Sequence, residues 1–346
     1  MSIALMKKLV ALKVDVDTLK GTLVGVPALQ ERLKAAGAGA TFLFSLGPDH
    51  TGRAIRRAFR KGFLGKVKRT SVVEHYGFPT LLYGTLLPGP DIGQRAAASM
   101  RAVRDAGFET GIHAWDHVKW QDGVAGADEA WARREMGLAI SRYQEIFGEP
   151  AAVHGAAGWQ MSRAALRLEA AGGLAYASDG RADLSGTPHF PVVDGEIIDC
   201  PQIPTTLPTL DELIGLDGCT AENVHDRLLG LTVNAPQPCP AARESVAVHV
   251  FTLHAELEGM RLAPAFERLL AGWQGQGYHL VDLRTVCGLL DRSRLPYHSV
   301  AFGPVPGRSG NLMLQGRPFP QGTRPPPSAD IPVHLSPNTA LAAAQG

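Results

Sequence analysis

The chain has 346 residues, which is enough for one large core and for at most about three domains. Hydrophobic residues make up 45% and charged residues 19% of the sequence, a composition typical of a soluble globular protein. The formal net charge of +1 argues against a general nucleic-acid-binding protein, whose surface needs a basic excess. The four cysteines include no C-x-x-C pair, so we expect free thiols in a reducing compartment.

The amino-terminal segment is a poor candidate for a signal peptide. Lys7 and Lys8 precede a short apolar stretch, but Lys13 interrupts it, Asp15 ends it and no small-residue cleavage site follows. No window holds the roughly 20 consecutive apolar residues of a membrane-spanning helix. We therefore expect a buried first strand and a cytoplasmic protein.

Strands and helices are predicted to alternate along most of the chain. The predicted strands are residues 9–16, 40–45, 109–113, 151–153, 174–177, 196–199, 245–253 and 278–281. The predicted helices are residues 26–36, 94–105, 128–147, 162–171, 221–229 and 263–274. Alternation over about 290 residues implies an α/β protein with a parallel sheet or a (β/α) barrel, in which the carboxyl ends of the strands form the catalytic face.

Two segments fall outside this alternation. Residues 50–93 lie between a predicted strand and a predicted helix, and we expect them to form an insertion beside the catalytic edge. Residues 317–346 contain seven prolines and are expected to be disordered. The predicted organisation is one catalytic domain over residues 1–316, followed by this tail.

Asp15 and Asp17 stand two residues apart at the end of the first predicted strand. Side chains at positions i and i+2 of a strand point to the same face, so one carboxylate can bind a metal ion while the other stays free as a base. The alternative is a strand followed by a capping aspartate, because short motifs often occur by chance.

Histidines supply the other two motifs. His113 and His117 stand four residues apart, so they share a helical face or a tight loop, and this spacing suits two ligands of one cation. Two surface histidines flanking a tryptophan are the alternative. His254 ends an apolar strand, where a histidine can donate a proton near neutral pH or simply be partly buried. His249, in the middle of that strand, is interpreted as structural.

These five side chains together provide what metal-assisted amide hydrolysis needs. Two histidines and one aspartate make a three-ligand site for one divalent cation, with room for water. The second aspartate is a candidate base and the separate histidine a candidate acid. Zinc, manganese, cobalt and nickel are all compatible with this ligand set.

The order of these motifs resembles the polysaccharide deacetylase family, which contains the NodB homology domain and is also called carbohydrate esterase family 4. That family carries an aspartate pair on its first strand, an H-x-x-x-H motif and a late strand that ends in histidine. The resemblance implies a distorted (β/α) barrel, with Asp15 as the base and His254 as the general acid. It also implies that Asp17, His113 and His117 are the metal ligands.

A closer resemblance, over the chain to about Arg317, is to the family of bacterial 4-deoxy-4-formamido-L-arabinose-phosphoundecaprenol deformylases. It rests on ordered segments, which are Asp15-Val16-Asp17-Thr18, Gly21-Thr22, Gly25-Val26-Pro27, Phe44-Ser45-Leu46-Gly47-Pro48-Asp49, Gly111-Ile112-His113-Ala114-Trp115-Asp116-His117, Ala157-Gly158-Trp159, Ser178-Asp179, Gln202-Ile203-Pro204, Thr206-Leu207-Pro208-Thr209 and Thr252-Leu253-His254-Ala255-Glu256-Leu257-Glu258-Gly259. The implied substrate is a formylated aminoarabinose on an undecaprenyl phosphate carrier. The implied product is an amino sugar destined for lipid A, where it confers resistance to cationic peptides such as polymyxin. Trp159, Asp179, Arg181 and Glu256 become candidates for substrate binding.

One motif departs from the wider family, whose R-x-P-Y arginine orients the catalytic aspartate. The comparable stretch here, Ala156-Ala157-Gly158-Trp159-Gln160, has no arginine. Arg181 is a candidate for the missing charge, and an ordinary surface arginine near a turn is the alternative.

The most uneven charge distribution lies between Arg53 and Arg69, where eight basic residues meet no acidic one. Such a basic amphipathic stretch can lie on an anionic membrane, gaining ~1 kcal/mol per basic residue. We expect Arg53, Arg56, Arg57 and Arg60 to contact the inner-membrane surface or the carrier phosphate, so that the protein is peripheral on the cytoplasmic face. A solvated helix face is the alternative.

Two other functions stay open. The first is a deacetylase of another N-acyl amino sugar of the N-acetylglucosamine type, which the missing signal peptide and the missing R-x-P-Y motif disfavour. The second is a non-catalytic lipid-phosphate-binding protein, which would need neither a base nor an acid. The sequence leaves the oligomeric state undetermined.

Overall fold

A computed structural model describes residues 6–54 and 82–319 of the chain. The strands are β1 (Lys7–Val16), β2 (Thr41–Ser45), β3 (Glu109–Ala114), β4 (Val153–His154), β5 (Tyr176–Ala177), β6 (Phe190–Val193), β7 (Glu196–Ile197), β8 (Val246–His254), β9 (His279–Val281), β10 (Tyr297–Gly303) and β11 (Leu312–Phe319). The α-helices are α1 (Val26–Ala35), α2 (Ile92–Asp105), α3 (His117–Gly123), α4 (Glu129–Phe147), α5 (Arg163–Ala171), α6 (Leu210–Leu213), α7 (Val224–Leu231), α8 (Ala263–Gly275) and α9 (Leu283–Leu289). Two π-helical turns, Gly21–Gly25 and Leu257–Arg261, follow β1 and β8.

Short polar side chains start many of these helices. A capping side chain accepts a backbone N–H that the first helical turn would leave unpaired. The caps are Asp91, Asp116, Asp128, Ser162 and Asp282. The starts of these five helices are therefore encoded locally. The six predicted helices agree with the observed ones to within a few residues.

The main sheet is parallel, and its strand order is β5-β4-β3-β2-β1-β8, with β9 also paired to β1. β1 pairs with β8 over its whole length, from Lys7 opposite Val246 to Asp15 opposite His254. Its other edge pairs with β9 near the start and with β2 near the end. The two strands that end in Asp15 and His254 are therefore direct neighbours.

An extended segment closes this sheet between β5 and β8. Ile203 donates its backbone N–H to the carbonyl of Ala177, and Thr206 and Leu207 donate theirs to the carbonyl of Val250. Val250 in turn donates its N–H to the Thr206 hydroxyl at 2.9 Å. The sheet therefore curls into a distorted barrel with helices outside it, which confirms the predicted fold class.

The two faces of β1 meet different surroundings, because successive side chains of a strand point in opposite directions. The even-numbered residues join the core that the outer helices cover. The odd-numbered Leu9 and Ala11 belong to the core inside the barrel. Lys13 and Asp15 continue this inner row and Asp17 follows directly after the strand, so three charged side chains lie at the carboxyl end of β1.

A second, four-stranded sheet of order β11-β10-β6-β7 was not predicted. The strand predicted at residues 196–199 is present as β7, but it pairs with β6 rather than with the main sheet. Most residues of β10 are only half-buried, so that strand lacks the apolar alternation on which the prediction relied. β11 runs to Phe319, past the predicted domain boundary at residue 316.

Some predictions fall outside the described residues. The insertion predicted at residues 50–93 is described only at its two ends, and the tail is described only to Phe319. The disorder of the tail therefore stays a prediction, and so does the division of the chain into a catalytic domain and a tail. In the part of the chain that the structure describes, no helix is long and apolar enough to cross a membrane.

Candidate metal centre and active site

The three predicted metal ligands come together where β1 and β3 end. Nε2 of His113 lies 3.3 Å and Nε2 of His117 lies 3.5 Å from Oδ1 of Asp17. The three ligand atoms all lie within 4.8 Å of one another. Within the described residues, Oδ1 of Asp17 is buried and accepts no hydrogen bond. One oxygen and two nitrogens therefore face a common space of the size that a cation needs.

The backbone after β4 orients His113. Its Nδ1 donates a hydrogen bond of 2.6 Å to the carbonyl of Gly155. In a neutral imidazole the other nitrogen, Nε2, then carries a lone pair. That lone pair faces the Asp17 carboxylate. The two groups repel each other unless a positive charge lies between them. The donor set therefore fits a divalent cation whose histidine ligand is held by a hydrogen bond from its second ring nitrogen.

His117 is the first residue of α3 and does not share a helix with His113. Asp116, between the end of β3 and the start of α3, caps the helix by accepting the N–H of Lys119 at 3.0 Å. The other oxygen of Asp116 bonds Nδ1 of His50 at 2.6 Å. Of the two arrangements that the spacing allowed, the structure therefore has the tight loop.

Burial and charge act on the protonation of these ligands. Burial alone would raise the pKa of Asp17, but His117 and His113 beside it hold the pKa of this carboxyl well below its ordinary value. Burial lowers the pKa of the His117 imidazole. An ionised carboxylate and a neutral imidazole are the forms that bind metals.

Asp15 lies beside this centre without joining it. Its side chain is almost fully buried. Its Oδ1 lies 3.7 Å from Nζ of Lys13 and 3.9 Å from Nδ1 of His113. A carboxylate next to the ligands, but not among them, is placed to accept a proton from a water molecule in the centre.

His254 stands opposite Asp15 on the neighbouring strand. Its backbone N–H donates to Oε2 of Glu258 at 2.7 Å, which ties the end of β8 to the π-helical turn that follows. Burial, partly offset by His254, raises the pKa of Glu258 to about 7. In the described part of the chain, the ring Nδ1 of His254 has no hydrogen-bond partner. A carboxylate and an imidazole therefore stand at the same level on adjacent strands.

Glu256 turns back onto the end of β1. Its Oε1 accepts the N–H of Asp17 at 3.1 Å, the N–H of Thr18 at 2.9 Å and the Thr18 hydroxyl at 2.8 Å. A Cβ atom on Gly21 would lie 1.9 Å from the same oxygen, so a larger residue there would displace the Glu256 carboxyl group. Burial, and then Asp17, raise the pKa of Glu256 to about 8. These contacts anchor the loop that carries Asp17, and the predicted substrate contact of Glu256 stays a prediction.

Trp159 is buried, and two arginines lie close to its ring. Its ring centroid is 4.7 Å from Cζ of Arg181 and 4.8 Å from Cζ of Arg308. Arg181 makes two hydrogen bonds, of 2.5 and 3.0 Å, with the carboxylate of Glu212. Among the lysines and arginines that the structure describes, Lys13 lies within 4.0 Å of Asp15, whereas Arg181 pairs with Glu212. The charge beside Asp15 therefore belongs to Lys13, and not to Arg181 as the sequence interpretation had it. The substrate contacts of Trp159 and Arg181 stay predictions.

Asp179 belongs to a second, fully buried cluster. Its Oδ1 accepts hydrogen bonds of 2.8 Å from Nδ1 of His154 and from the N–H of Ala156, and its Oδ2 accepts one of 2.7 Å from Gln202. Glu169 lies 2.6 Å from the same histidine nitrogen. Burial would lower the pKa of His154, but the two carboxyl groups raise it to about 10. Asp179 therefore has internal partners, and its predicted contact with substrate stays a prediction.

Of the four arginines predicted to meet a membrane or a phosphate, the structure describes only Arg53. It is exposed, and its Nε donates to the carbonyl of Gly84 at 2.8 Å. Arg56, Arg57 and Arg60 lie outside the described residues.

Lys13 is a residue near the centre that the sequence interpretation missed. In the sequence it interrupts an apolar stretch, and no functional role follows from that alone. A signal was present, since Lys13, Asp15 and Asp17 are spaced at the two-residue period that places side chains on one face of a strand. The distance to Asp15, however, depends on side-chain directions that the sequence does not specify.

The fold defines the class of protein. The chain is similar to the solved structure titled "Crystal structure of putative polysaccharide deacetylase from Mycobacterium smegmatis", with a TM-score of 0.56, 15% identity and coverage of 87% of this chain and 96% of that one. It is also similar to Puue allantoinase, with a TM-score of 0.53, 14% identity and coverage of 83% and 91%. No protein-family model matches the chain. The fold is that of the polysaccharide deacetylases.

Sequence comparison narrows this class. A protein of Shewanella sediminis (strain HAW-EB3), named "Probable 4-deoxy-4-formamido-L-arabinose-phosphoundecaprenol deformylase", is 37% identical over 308 residues, which cover 88% of this chain and 94% of the relative. A protein of Wigglesworthia glossinidia brevipalpis with the same name is 29% identical over 296 residues, covering 85% and 98%. The chain belongs to the 4-deoxy-4-formamido-L-arabinose-phosphoundecaprenol deformylase family.

Proposed function

We propose that this protein is a metal-dependent deformylase that hydrolyses the formamide of 4-deoxy-4-formamido-L-arabinose-phosphoundecaprenol to the free amine and formate, for the modification of lipid A. The observation that carries the proposal is the convergence of Asp17, His113 and His117, with Asp15 and His254 beside them on adjacent strands. This geometry supports the class of reaction. The names of the relatives support the substrate.

Asp17, His113 and His117 would hold one divalent cation. Three protein ligands leave coordination positions open, which is typical of catalytic rather than structural metal sites. When bound, the cation would supply a polarised formyl oxygen and a water molecule of lowered pKa. The ligand set accepts zinc, manganese, cobalt or nickel, and elemental analysis of the purified protein would identify the one that is bound.

Asp15 and His254 would move the protons. Asp15 accepts a proton from the attacking water, and the resulting hydroxide adds to the formyl carbon. His254, on the neighbouring strand, donates a proton to the sugar nitrogen as the C–N bond breaks. Formate and the free amine result, and each proton transfer is expected to accelerate the reaction by about 10²–10⁴-fold.

Formate release from the formamido-arabinosyl lipid phosphate tests this proposal. We expect release by the purified protein, loss after chelation and recovery when a divalent metal is added back. The Asp15→Asn variant should keep its metal and lose about 10²–10⁴-fold in rate, because the amide cannot act as a base. If the wild type released acetate from N-acetylglucosamine substrates and no formate from this lipid, the alternative deacetylase would replace the proposal. A metal-free protein that binds the lipid without turnover would favour the non-catalytic alternative.

We further propose that the catalytic edge contacts the cytoplasmic face of the inner membrane, where such a substrate would reside. Leu23 and Val24, in the turn after Asp17, are 45% and 52% exposed, and Leu86, in the segment before α2, is 81% exposed. Exposed apolar side chains favour contact with a lipid surface, and the basic residues of the sequence between Arg53 and Arg69 would favour anionic lipid.

Sedimentation with anionic phosphatidylglycerol vesicles tests this surface. Leu86→Asp combined with Leu23→Asp should weaken binding. The matched control is Val233→Asp, because Val233 is 62% exposed but lies in the loop that leads to the opposite end of the barrel. Equal binding by all three proteins would contradict the proposed surface.

A further inference from the structure

Lys13 is a charged side chain inside the barrel core. Its side chain has no exposed surface, although lysine is rarely fully buried without a partner. It is the third-last residue of an inner row that continues with Asp15 and Asp17. A buried ammonium group is costly unless charges and hydrogen bonds compensate it, so its contacts indicate what it serves.

The ammonium group of Lys13 touches the proposed base. Nζ lies 3.7 Å from Oδ1 of Asp15, and it donates a hydrogen bond of 2.8 Å to the carbonyl of Ser178. It also lies 5.5 Å from the ring centroid of Trp159. Among the described residues, Oδ1 of Asp15 has no hydrogen-bond partner. The charge of Lys13 therefore restrains a carboxylate oxygen that is otherwise held weakly.

The chain leaves room for this side chain. A Cβ atom at Gly155 would lie 2.3 Å from Cδ1 of Leu43, and 3.0 Å and 3.2 Å from Cε and Nζ of Lys13. The carbonyl of the same glycine accepts the hydrogen bond from Nδ1 of His113. One residue thus orients a proposed metal ligand and keeps open the space in which Lys13 reaches Asp15.

The nearby arginines and His113 bind partners other than Asp15. Arg181 is bound to Glu212, and Arg308 also donates to Glu212, at 2.7 Å. Nδ1 of His113 lies 3.9 Å from Asp15 but donates to a backbone carbonyl. Lys13 is therefore the group best placed to hold the Asp15 carboxylate.

We propose that Lys13 is a positioning residue, which holds the Asp15 carboxylate in the orientation from which it accepts a proton from water. This inference rests on the proposed function. Among the described residues, Lys13 makes its ion pair with Asp15 and its hydrogen bond with Ser178, and neither with a proposed metal ligand. Its effect on turnover acts through Asp15.

Kinetics of formate release test the inference with three variants. Lys13→Gln keeps a donor for the Ser178 carbonyl but removes the charge, Lys13→Met removes both, and Lys13→Arg keeps the charge. We expect kcat to fall about 10²-fold in the first two, with KM and bound metal unchanged, and the arginine variant to recover about tenfold or more of that loss.

Lys8 offers a matched control on the same strand. It also donates to a backbone carbonyl, that of Gln276, and it lies over the ring of Tyr278 at 4.9 Å from the centroid. It sits at the opposite end of β1, away from Asp15. Lys8→Met should lower the thermal stability without changing kcat.

Several outcomes would overturn the inference. An unchanged kcat in Lys13→Gln would do so. Equal losses of kcat in Lys13→Gln and Lys13→Arg, together with loss of bound metal, would also do so, because they would indicate a structural role. A wild type that releases no formate would reject the proposed function instead. In that case, crystal structures of the wild type and of Lys13→Gln decide the point, because the inference requires that the Asp15 carboxylate rotate when the charge is removed. An unmoved carboxylate would overturn it.

Discussion

At the scale of single residues, hydrogen bonds decide which atom of each side chain is left free for chemistry. His113 donates from Nδ1 to a backbone carbonyl, so Nε2 is the atom that faces Asp17. His254 is held through its backbone N–H, so its imidazole stays available. The backbone and neighbouring carboxylates, rather than the five side chains alone, therefore set the roles of these groups.

Replacing His254 by alanine tests its role as the acid. We expect kcat to fall by about 10²–10⁴-fold, because no neighbouring group would protonate the departing nitrogen. Metal content and thermal stability should stay near those of the wild type, since the ring Nδ1 of His254 has no hydrogen-bond partner among the described residues. Formate release and elemental analysis measure both. Near-normal turnover would remove His254 from the mechanism.

At the scale of elements, β1 and β8 carry the site because they are neighbours in register. The turn after β8 returns to the end of β1 through Glu256, whose single oxygen accepts three hydrogen bonds. A Cβ atom on Gly25, in the turn after β1, would lie 2.0 Å from the carbonyl oxygen of Ala255. The two turns therefore pack closely, which limits movement of the loop that carries Asp17.

Removing the Glu256 carboxyl group tests this link. Glu256→Ala leaves two backbone N–H groups without their acceptor, and we expect it to lower the free energy of unfolding by about 1–3 kcal/mol. Glu256→Gln keeps an oxygen acceptor of the same reach and serves as the matched control, with a much smaller loss. Urea unfolding of the metal-free proteins at pH 7 measures the difference. Equal stability of the two variants would show that the link contributes little.

The burial of His249, in the middle of β8, leads us to expect that the stability of the protein depends on pH. Burial lowers its pKa from 6.5 to about 4 in the folded protein. The folded protein favours the neutral form of His249. This contribution to the free energy of unfolding is fully present above pH 6.5, which is the pKa of histidine in the unfolded chain, and it is lost as the pH falls toward 4. The loss can reach about 3 kcal/mol.

The variant His249→Met should lose less stability than the wild type between pH 6.5 and pH 4, because methionine does not titrate. His279→Met, at an exposed position on β9, is the matched control and should leave the pH dependence as it is. Urea unfolding across this pH range gives the two slopes. Identical slopes for the wild type and His249→Met would contradict the prediction.

At the scale of the whole molecule, closure of the barrel brings distant parts of the chain together. The segment from Pro201 to Leu207 joins β5 to β8, and the proposed metal site joins the ends of β1 and β3 to the start of α3. A cation held by all three elements would bind the folded chain in preference to the unfolded one. Such binding stabilises the fold by mass action.

Metal removal should therefore lower the melting temperature. At a free metal concentration about 100 times the Kd, the expected stabilisation is about 2.7 kcal/mol. The His113→Ala variant should show little response to added metal, whereas His225→Ala, on the outer helix α7, should respond as the wild type does. Differential scanning calorimetry with and without chelator measures this shift. A melting temperature that ignores metal in the wild type would argue against the site.

The sequence by itself determined the order and the type of most main elements, because apolar periodicity and helix caps are local properties. It also placed Asp15, Asp17, His113, His117 and His254 at strand ends, which in a parallel barrel meet at one edge. It did not determine the second sheet, whose half-buried strands lack a clear pattern, or the start of α3 at His117.

Only the tertiary structure decided which charged groups meet inside the barrel. Lys13 lies against Asp15, Glu256 holds the end of β1, and Arg181 pairs with Glu212. These contacts join residues from different strands and loops, and several depend on which way a long side chain turns. The closing of the sheet and the packing of its interior set those directions, and neither can be read from spacing along the chain.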